Sequence, residues 1–165
     1  MRYRAQMRRR LPDLGPRGEG WVALQVVIVL AICGAGLLGP AWDGTARLLS
    51  SALGIALIAA GGLLALRAVL DLGPNLTAVP RPKDGARLVE WGAYALVRHP
   101  IYGGLVVGAI GWGFVTASPP AIAAGLLFGA FFDLKSRREE AWLAERFDAY
   151  AAYRSRTRKL FPWIY

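Results

Sequence analysis

Four long apolar stretches dominate the sequence, and polar segments separate them. Residues 21–39 and 48–66 each run 19 positions without a charged side chain, whereas residues 101–117 and 119–132 form shorter runs of 17 and 14. A helix needs about 20 residues, at about 1.5 Å rise each, to cross about 30 Å of hydrocarbon. The pattern therefore predicts two full membrane spans followed by two short ones.

The two short apolar runs are separated by a sequence typical of a tight turn, Ser118-Pro119-Pro120. We expect the last two spans to form a helical hairpin, whose ends are extended by neighbouring residues or around which the bilayer thins. Downstream, Leu143, Phe147 and Tyr150 recur at helical spacing, which indicates an amphipathic helix at the membrane interface. The predicted fold class is an all-α integral membrane protein with four transmembrane helices, the last two a hairpin, plus a C-terminal amphipathic interfacial helix that continues from the fourth span.

Composition narrows the class of protein further. The chain has 165 residues, of which 55% are hydrophobic and 19% charged, with a mean hydropathy of +0.37. This balance excludes disorder and a typical soluble domain, and the length allows one domain. Cys33 is the single cysteine and His99 the single histidine. An internal disulfide, a thiolate metal site and a multi-histidine cluster are therefore excluded, and we expect no metal.

The basic residues predict the orientation in the membrane. All of the 20 Lys and Arg residues except Arg47 lie in the N-terminal tail, the central polar loop or the C-terminal segment. Because positive charge is retained on the cytoplasmic side, both termini and the central loop should face the cytoplasm. The net charge of +9 then reflects topology and attraction to membrane lipids, and we expect no nucleic-acid partner.

These features predict a single membrane-embedded domain, residues 1–165. Its predicted parts are a basic cytoplasmic tail (1–20), two spans (21–66), a cytoplasmic loop (67–100), the helical hairpin (101–134) and a cytoplasmic C-terminal cap (135–165).

Small residues recur at a spacing that lets membrane helices approach closely. The predicted packing positions are Ala52, Ala56 and Ala60, then Gly104 and Gly108, then Gly125 and Gly129. Whether these faces pack within one chain or between copies is left open by the pattern, and so is the oligomeric state.

The first candidate binding site along the sequence is the segment Arg98-His99-Pro100. Proline suits the first position of a helix, whose free amide groups and positive dipole end would lie beside Arg98 and His99. Such a site favours an anionic group, for example a carboxylate or a phosphate. The alternative interpretation is that Arg98 extends to lipid headgroups and His99 caps the helix.

A pair of adjacent carboxylates, Glu139 and Glu140, follows the fourth apolar run. Neighbouring side chains on a helix point about 100° apart, so at least one of the two should face protein or ligand. The alternative is a solvated run of charges stabilised by ion pairs four residues apart. A metal is a poor explanation, because no further carboxylate lies nearby on the same face.

These motifs resemble the isoprenylcysteine carboxyl methyltransferase family. The phospholipid N-methyltransferases, which share the paired glutamates, are related to it. The likeness covers roughly residues 70–162, and its motifs are Gly92-x-Tyr94-x-x-x-Arg98-His99-Pro100-x-Tyr102-x-Gly104, Glu139-Glu140-x-x-Leu143 and Phe147-x-x-Tyr150-x-x-Tyr153.

The resemblance implies a methyltransferase that uses S-adenosyl-L-methionine. Arg98 and His99 would meet the methionine carboxylate, and a glutamate would meet the ribose hydroxyls and the ammonium group. The cofactor-binding residues that it implies are Tyr94, Val97, Arg98, His99, Tyr102, Gly104, Glu139 and Glu140. The catalytic residues are unknown, and none is required, because methyl transfer from a sulfonium mainly needs alignment of donor and acceptor.

The implied acceptor is a lipophilic small molecule or a lipid-linked group, whose apolar tail would enter through a gap between the two hairpin spans. If the acceptor is a carboxylate, Arg137, Arg138 or Arg154 would hold it, with Arg138 and Arg154 the assigned candidates, and the reaction would be O-methylation. Its identity and its acceptor atom are left open. The alternatives are an NADPH-binding, sterol-reductase-like membrane enzyme and a non-enzymatic membrane scaffold. The paired glutamates disfavour the former, because they would repel a 2′-phosphate.

Overall fold

The computed structural model describes residues 12–162 and 164, and this part of the chain is helical. The helices are α1 (Glu19–Leu38), α2 (Thr45–Leu72), α3 (Ala93–Leu96), α4 (Pro100–Val115), α5 (Pro119–Arg146) and α6 (Tyr150–Arg156), with a 3₁₀ turn at Gly73–Asn75. The described residues form no strand, and one isolated parallel bridge joins Val97 to Arg158. The all-α class is therefore confirmed. Five basic residues of the predicted tail lie outside the described residues: Arg2, Arg4, Arg8, Arg9 and Arg10.

Two helices are long and apolar enough to cross a membrane, namely α1 and the segment Thr45–Asn75 that contains α2. Only 11% and 17% of their most apolar windows are buried inside the protein, which differs from the core helix of a soluble domain. Helix α4 is apolar but shorter, and α5 carries charged residues from Asp133 onward. The described residues thus contain two strongly apolar candidate spans, while the total of four stays a prediction.

Helix α2 packs along α4 through glycines rather than through the predicted alanines. A Cβ atom on Gly61 would lie 2.5 Å from the Gly104 carbonyl oxygen, and one on Gly54 would lie 2.5 Å from the Val115 nitrogen. The three alanines that the sequence predicted as packing positions are exposed, so they do not pack between helices of this chain: Ala52, Ala56 and Ala60. Only a residue without a side chain allows this backbone contact.

The helical hairpin forms as predicted, with α4 ending at Val115 and α5 beginning at Pro119. Its two helices touch through backbone, since a Cβ atom on Gly113 would lie 2.6 Å from the Ile122 nitrogen. On the other helix, Gly125 approaches the Ile110 nitrogen in the same way. The expected gap for an acceptor tail between the hairpin helices is therefore wrong.

Helix α5 runs without a break from the hairpin to Arg146, across the predicted boundary between hairpin and cap. At Phe147 the backbone becomes extended (φ −117°, ψ 113°), and the chain resumes as the short helix α6. The single C-terminal helix expected from the sequence is thus divided in two. The physical reason is that this bend returns Tyr150 and Tyr153 to the segment before α4, where both are buried.

The polar segments gather at one end of the helices. The N-terminal segment lies on the central loop, because Arg81 donates a hydrogen bond to the Pro16 carbonyl over 3.0 Å. It also contacts α5 through an ion pair between Arg138 and Asp13. The two short connections meet at the other end, where the Trp42 amide donates to the Ala117 carbonyl over 3.0 Å.

Candidate functional site

The short segment before α4 is fastened to the C-terminal segment by backbone hydrogen bonds. The Arg98 amide donates to the Arg158 carbonyl over 2.9 Å, and the His99 amide donates to the Lys159 carbonyl over 3.0 Å. The side chain of Val97 is fully buried beneath this pairing. The first residues of the site are therefore positioned by a part of the chain about 60 residues away.

Pro100 occupies the first turn of α4, as predicted, and His99 precedes it. The His99 side chain makes no capping hydrogen bond to the helix. Its ring stacks parallel to Tyr102 with 5.3 Å between centroids, and Tyr102 stacks in turn on Phe132 at 4.4 Å. The histidine ring is thus held by stacking, and its nitrogens face the glutamates of α5.

The Arg98 side chain links Glu140 to the C-terminal segment. Its Nε donates to Glu140 Oε1 over 2.8 Å, and Nη1 donates to the carbonyls of Arg154, over 3.3 Å, and Thr157. Its Nη2 makes no hydrogen bond with the residues that the structure describes. One terminal nitrogen of the guanidinium is therefore left for a ligand.

Glu140 is buried and accepts from both residues of the motif. Its Oε1 lies 3.3 Å from His99 Nε2 as well as 2.8 Å from Arg98 Nε. Burial alone would raise the pKa of this carboxyl, but the hydrogen bond with His99 and the positive charge of Arg98 outweigh it and hold the pKa at about 2. Glu140 is therefore ionised at neutral pH inside the protein.

Glu139 points in a different direction. Its Oε2 accepts a hydrogen bond of 2.5 Å from the Tyr102 hydroxyl, and its side chain lines a cavity. Whereas 3% of the Glu140 side chain is exposed, 23% of the Glu139 side chain is. The paired glutamates are thus divided between the protein interior and the cavity.

The cavity has a volume of about 250 Å³ and lies where α1, the end of α2, the central loop, α4, α5 and α6 meet. The central loop supplies apolar wall residues, among them Leu76, Val79, Pro80, Pro82, Leu88 and Val89. The polar lining comes mainly from the helices and includes Gln25, Arg98, His99, Tyr102, Lys135, Glu139 and Tyr150. It therefore combines an apolar wall with both signs of charge, as small-molecule sites do.

Tyr150 contributes a buried hydroxyl that has no hydrogen-bond partner in the described part of the chain. Burial raises the pKa of this phenol well above its usual value, and the neighbouring Glu140 raises it further. The group is therefore a neutral phenol, and it belongs to a residue that lines the cavity. Tyr153, on the same helix, instead donates to the Tyr94 carbonyl over 2.7 Å.

The structure brings half of the predicted site residues to the cavity. The predicted residues that line it are Tyr94, Arg98, His99, Tyr102 and Glu139, and those that do not are Val97, Gly104, Arg138, Glu140 and Arg154. Gly104 instead meets Gly61 of α2. Arg138 is buried, stacked over the Trp142 ring at 4.2 Å. Arg154 Nε lies 3.6 Å from Glu140 Oε2.

The cavity lining that the sequence did not single out as site residues includes three polar side chains from α1, α5 and α6: Gln25, Lys135 and Tyr150. Gln25 is a lone amide in the first apolar run, which is a known signal of a polar site within a membrane helix. Lys135 lies four residues before Glu139 and therefore on the same helical face. Tyr150 belonged to the aromatic stripe and to the family motif, but its hydroxyl was given no role. Among residues 12–162 and 164, no group of three or more His, Cys, Asp or Glu side chains is arranged to hold a metal ion.

The sequence is similar to those of known proteins. The family model described as phospholipid methyltransferase matches residues 49–150. A probable protein-S-isoprenylcysteine O-methyltransferase of Oryza sativa subsp. indica is 29% identical over 118 residues, which cover 69% of this chain and 62% of the relative. The cobalt-zinc-cadmium resistance protein CzcN of Cupriavidus metallidurans is 37% identical over 76 residues, 46% of this chain and 35% of that protein. The matches span less than two thirds of these relatives.

A solved structure has a similar fold. It is the eukaryotic intramembrane Ras methyltransferase ICMT (isoprenylcysteine carboxyl methyltransferase), with a TM-score of 0.67 over 86% of this chain and 53% of that chain. The sequence identity is 24%, so this likeness concerns the fold alone.

Proposed function

The chain belongs to the phospholipid methyltransferase family, and from this premise we propose that it is a membrane-embedded methyltransferase. It transfers a methyl group from S-adenosyl-L-methionine to a lipophilic acceptor at the cytoplasmic face of the membrane. The observation that carries the proposal is the division of the paired glutamates. Glu140 holds the Arg98-His99 motif from inside the protein, while Glu139 faces the cavity.

The proposed topology has four spans, with both termini in the cytoplasm. Helices α1 and α2 cross the membrane fully, and the hairpin of α4 and the first half of α5 forms the short pair. It is supported by the gathering of the N-terminal segment, the central loop and the C-terminal segment at one end of the helices. Basic residues concentrate in those segments, as expected for a cytoplasmic face.

The residues of the cavity fit S-adenosyl-L-methionine chemically. The molecule presents a carboxylate, an ammonium group, ribose hydroxyls and a flat adenine ring. The cavity offers the Arg98 guanidinium, the Glu139 carboxylate, apolar walls and the unpaired Tyr150 hydroxyl. A buried donor without a partner is costly, and a polar ligand would satisfy it. When bound, S-adenosyl-L-methionine supplies an electrophilic methyl group.

Each residue then has a proposed role. Arg98 Nη2 and the amino end of α4 attract the ligand carboxylate. Glu139 accepts from the ammonium group or from ribose hydroxyls, while the Tyr102 hydroxyl keeps its carboxylate in place. Tyr94 contributes to the wall against the adenine ring. Tyr150 donates a hydrogen bond from its hydroxyl.

Glu140 acts as a positioning residue in this scheme. It does not line the cavity, and its carboxylate is engaged by Arg98 and His99. Because Arg98 also holds the carbonyls of residues 154 and 157, the Glu140–Arg98 pair ties α5 to the C-terminal segment. This tie also positions part of the cavity wall, because Tyr150 and Tyr153 line the cavity and belong to the C-terminal segment.

The proposed acceptor is a lipophilic carboxylate, and the reaction is O-methylation. The relatives named as isoprenylcysteine O-methyltransferases point to this class of acceptor. An ionised carboxylate is already nucleophilic, so the protein needs to align it and to exclude water rather than remove a proton. This agrees with a cavity in which His99 is fixed by Tyr102 and Glu140.

The test is a transfer assay with methyl-labelled S-adenosyl-L-methionine, the purified protein in lipid vesicles and N-acetyl-S-farnesylcysteine as the acceptor. We expect label in the organic phase that alkali releases as methanol, which identifies a methyl ester. Glu139→Gln should lower the rate at least tenfold, and Asp43→Asn, at the other end of the helices, should leave it unchanged. Label that resists alkali would contradict O-methylation, and absence of any transfer with several lipophilic acids would contradict the proposed acceptor class.

A further inference from the structure

Lys135 places a buried ammonium group at the cavity. Only 3% of the residue is exposed, and Nζ donates a hydrogen bond of 2.5 Å to Oε1 of Gln25 on α1. Both residues line the cavity. An amide in an apolar span and a lysine facing it are costly to bury, and such residues in membrane helices commonly mark ligand sites.

The ammonium group has no carboxylate partner among the residues that the structure describes. Its hydrogen-bond acceptor is a neutral amide, and its other contacts are the faces of Tyr102, at 5.0 Å, and Phe132, at 5.6 Å. The carboxylate that acts on it electrostatically is Glu139, one helical turn along α5, and Glu139 already accepts from Tyr102. A buried cation with neutral partners favours binding of an anion.

Along the axis of α5, Lys135 lies one turn closer to the apolar part of the helix than Glu139 does. It lies between the apolar part of α5, which ends at Phe132, and Glu139, which is about 6 Å further along the helix axis. The side chains of Leu72 and Leu105 line the cavity from α2 and α4. An amphiphile whose apolar tail lies among these helices would thus place its polar head group beside the Lys135 ammonium group.

We propose that Lys135, oriented by Gln25, binds the acid group of an amphiphilic methyl acceptor, a role that rests on the proposed methyltransferase function. This assigns to Lys135 the task that the sequence suggested for Arg138 or Arg154. Both of those arginines lie outside the cavity lining and near carboxylates of their own, Asp13 and Glu140.

The chemistry of the product agrees with this site. The acid oxygen forms a bond to the methyl carbon while the methyl–sulfur bond breaks, and the electron pair of that bond stays on sulfur. No proton moves, and the ester that results carries no charge. Lys135 therefore binds the charged acceptor and has little affinity for the neutral product, which favours product release.

The experiment compares binding of N-acetyl-S-farnesylcysteine with binding of its carboxamide, by calorimetry on the detergent-purified protein saturated with S-adenosylhomocysteine. The wild type should bind the acid at least tenfold more tightly than the carboxamide, a difference of about 1.4 kcal/mol. Lys135→Met should remove this preference, Lys135→Arg should retain most of it, and Gln25→Leu should weaken it. Separate titrations with S-adenosylhomocysteine should give the same affinity for all four proteins.

Those separate titrations distinguish the failure of this proposal from failure of the proposed function. If the wild type binds S-adenosylhomocysteine but binds acid and carboxamide alike, or neither of them, the role of Lys135 is overturned while the cofactor assignment stands. If Lys135→Met keeps the preference for the acid, or loses S-adenosylhomocysteine instead, Lys135 does not bind the acceptor head. If the wild type does not bind S-adenosylhomocysteine, the underlying function fails.

Discussion

His99 and Glu140, 41 residues apart in the chain, face each other with 3.3 Å between Nε2 and Oε1. The same oxygen accepts from Arg98, so a single buried carboxylate holds the Arg98 and His99 side chains before α4. The adjacent Glu139 instead lines the cavity, where it accepts a hydrogen bond from Tyr102. Two neighbouring residues of the same type thus have separable roles, and substitution should separate them.

Replacing Glu140 should lower stability more than replacing Glu139. Glu140→Gln leaves Arg98 buried without its counter-charge, which costs about 3 kcal/mol. Glu139→Gln removes a more exposed carboxylate and should change stability by less than about 1 kcal/mol. Thermal unfolding in detergent, followed by loss of monodisperse protein on gel filtration, checks this order. Equal stability of the two variants would contradict the assignment of Glu140 as a positioning residue.

The stability that Glu140 provides should depend on pH in the acid range. Its pKa is about 2 in the folded protein, against an ordinary value of 4.5. A carboxyl with a lowered pKa stabilises the folded state above its ordinary pKa, and this contribution, roughly 3 kcal/mol, is lost as the pH falls from 4.5 to 2.

The measurement is the unfolding temperature of the wild type and of Glu140→Gln between pH 7 and pH 2.5. The gap between the two proteins should stay constant down to about pH 5 and then shrink. A gap that does not narrow below pH 4.5 would show that the carboxylate charge is not what stabilises the fold.

Gly104 should act through helix packing, although the resemblance placed it at the cofactor. A Cβ atom there would lie 2.5 Å from the Gly61 carbonyl oxygen, whereas one on Gly108 would meet nothing within 4 Å. Gly104→Ala should therefore destabilise the protein by about 1–3 kcal/mol, and Gly108→Ala should be neutral or slightly stabilising. The folded fraction of Gly104→Ala should still bind S-adenosylhomocysteine with wild-type affinity. A weakened affinity with unchanged stability would return Gly104 to the cofactor site.

The variants Tyr150→Phe and Tyr153→Phe should differ in stability and in affinity for S-adenosylhomocysteine. Tyr150→Phe removes a buried donor that has no partner, so stability should stay the same or rise while S-adenosylhomocysteine binds several-fold more weakly. Tyr153→Phe removes the hydrogen bond to the Tyr94 carbonyl and should cost about 1 kcal/mol of stability. Calorimetric titration and thermal unfolding of both variants test the contrast. If Tyr150→Phe binds the ligand as well as the wild type does, the hydroxyl has no role in recognition.

Local patterns predicted the parts of the fold that depend on neighbours in the sequence. Two long apolar runs predicted α1 and α2, and Ser118-Pro119-Pro120 predicted the turn of the hairpin. Pro100 marked the first turn of α4, because a residue without an amide hydrogen suits that position. Each of these features follows from rules that act over a few residues.

Contacts between distant segments were less predictable. The alanines of α2 are not its contact with α4, because lipid and a neighbouring helix are equally apolar and spacing alone does not tell which face packs within the chain. The bend at Phe147 depends on the pairing of residues 97–99 with residues 158–159, which has no periodic signal. Lys135 and Gln25 meet across 110 residues, and no local pattern in either segment indicates that they are partners. The resemblance to a family supplied the candidate residues, while the structure divided them between the cavity and its support.

We expect the cavity beside Glu139 to bind S-adenosyl-L-methionine. The most direct measurement is a calorimetric titration of S-adenosylhomocysteine into the detergent-purified wild type, Glu139→Gln and the distant control Asp43→Asn. We predict micromolar binding to the wild type and to the control, weakened at least tenfold, by about 1.4 kcal/mol, in Glu139→Gln. A folded wild type that does not bind S-adenosylhomocysteine, or a Glu139→Gln variant that binds it equally well, would contradict the account.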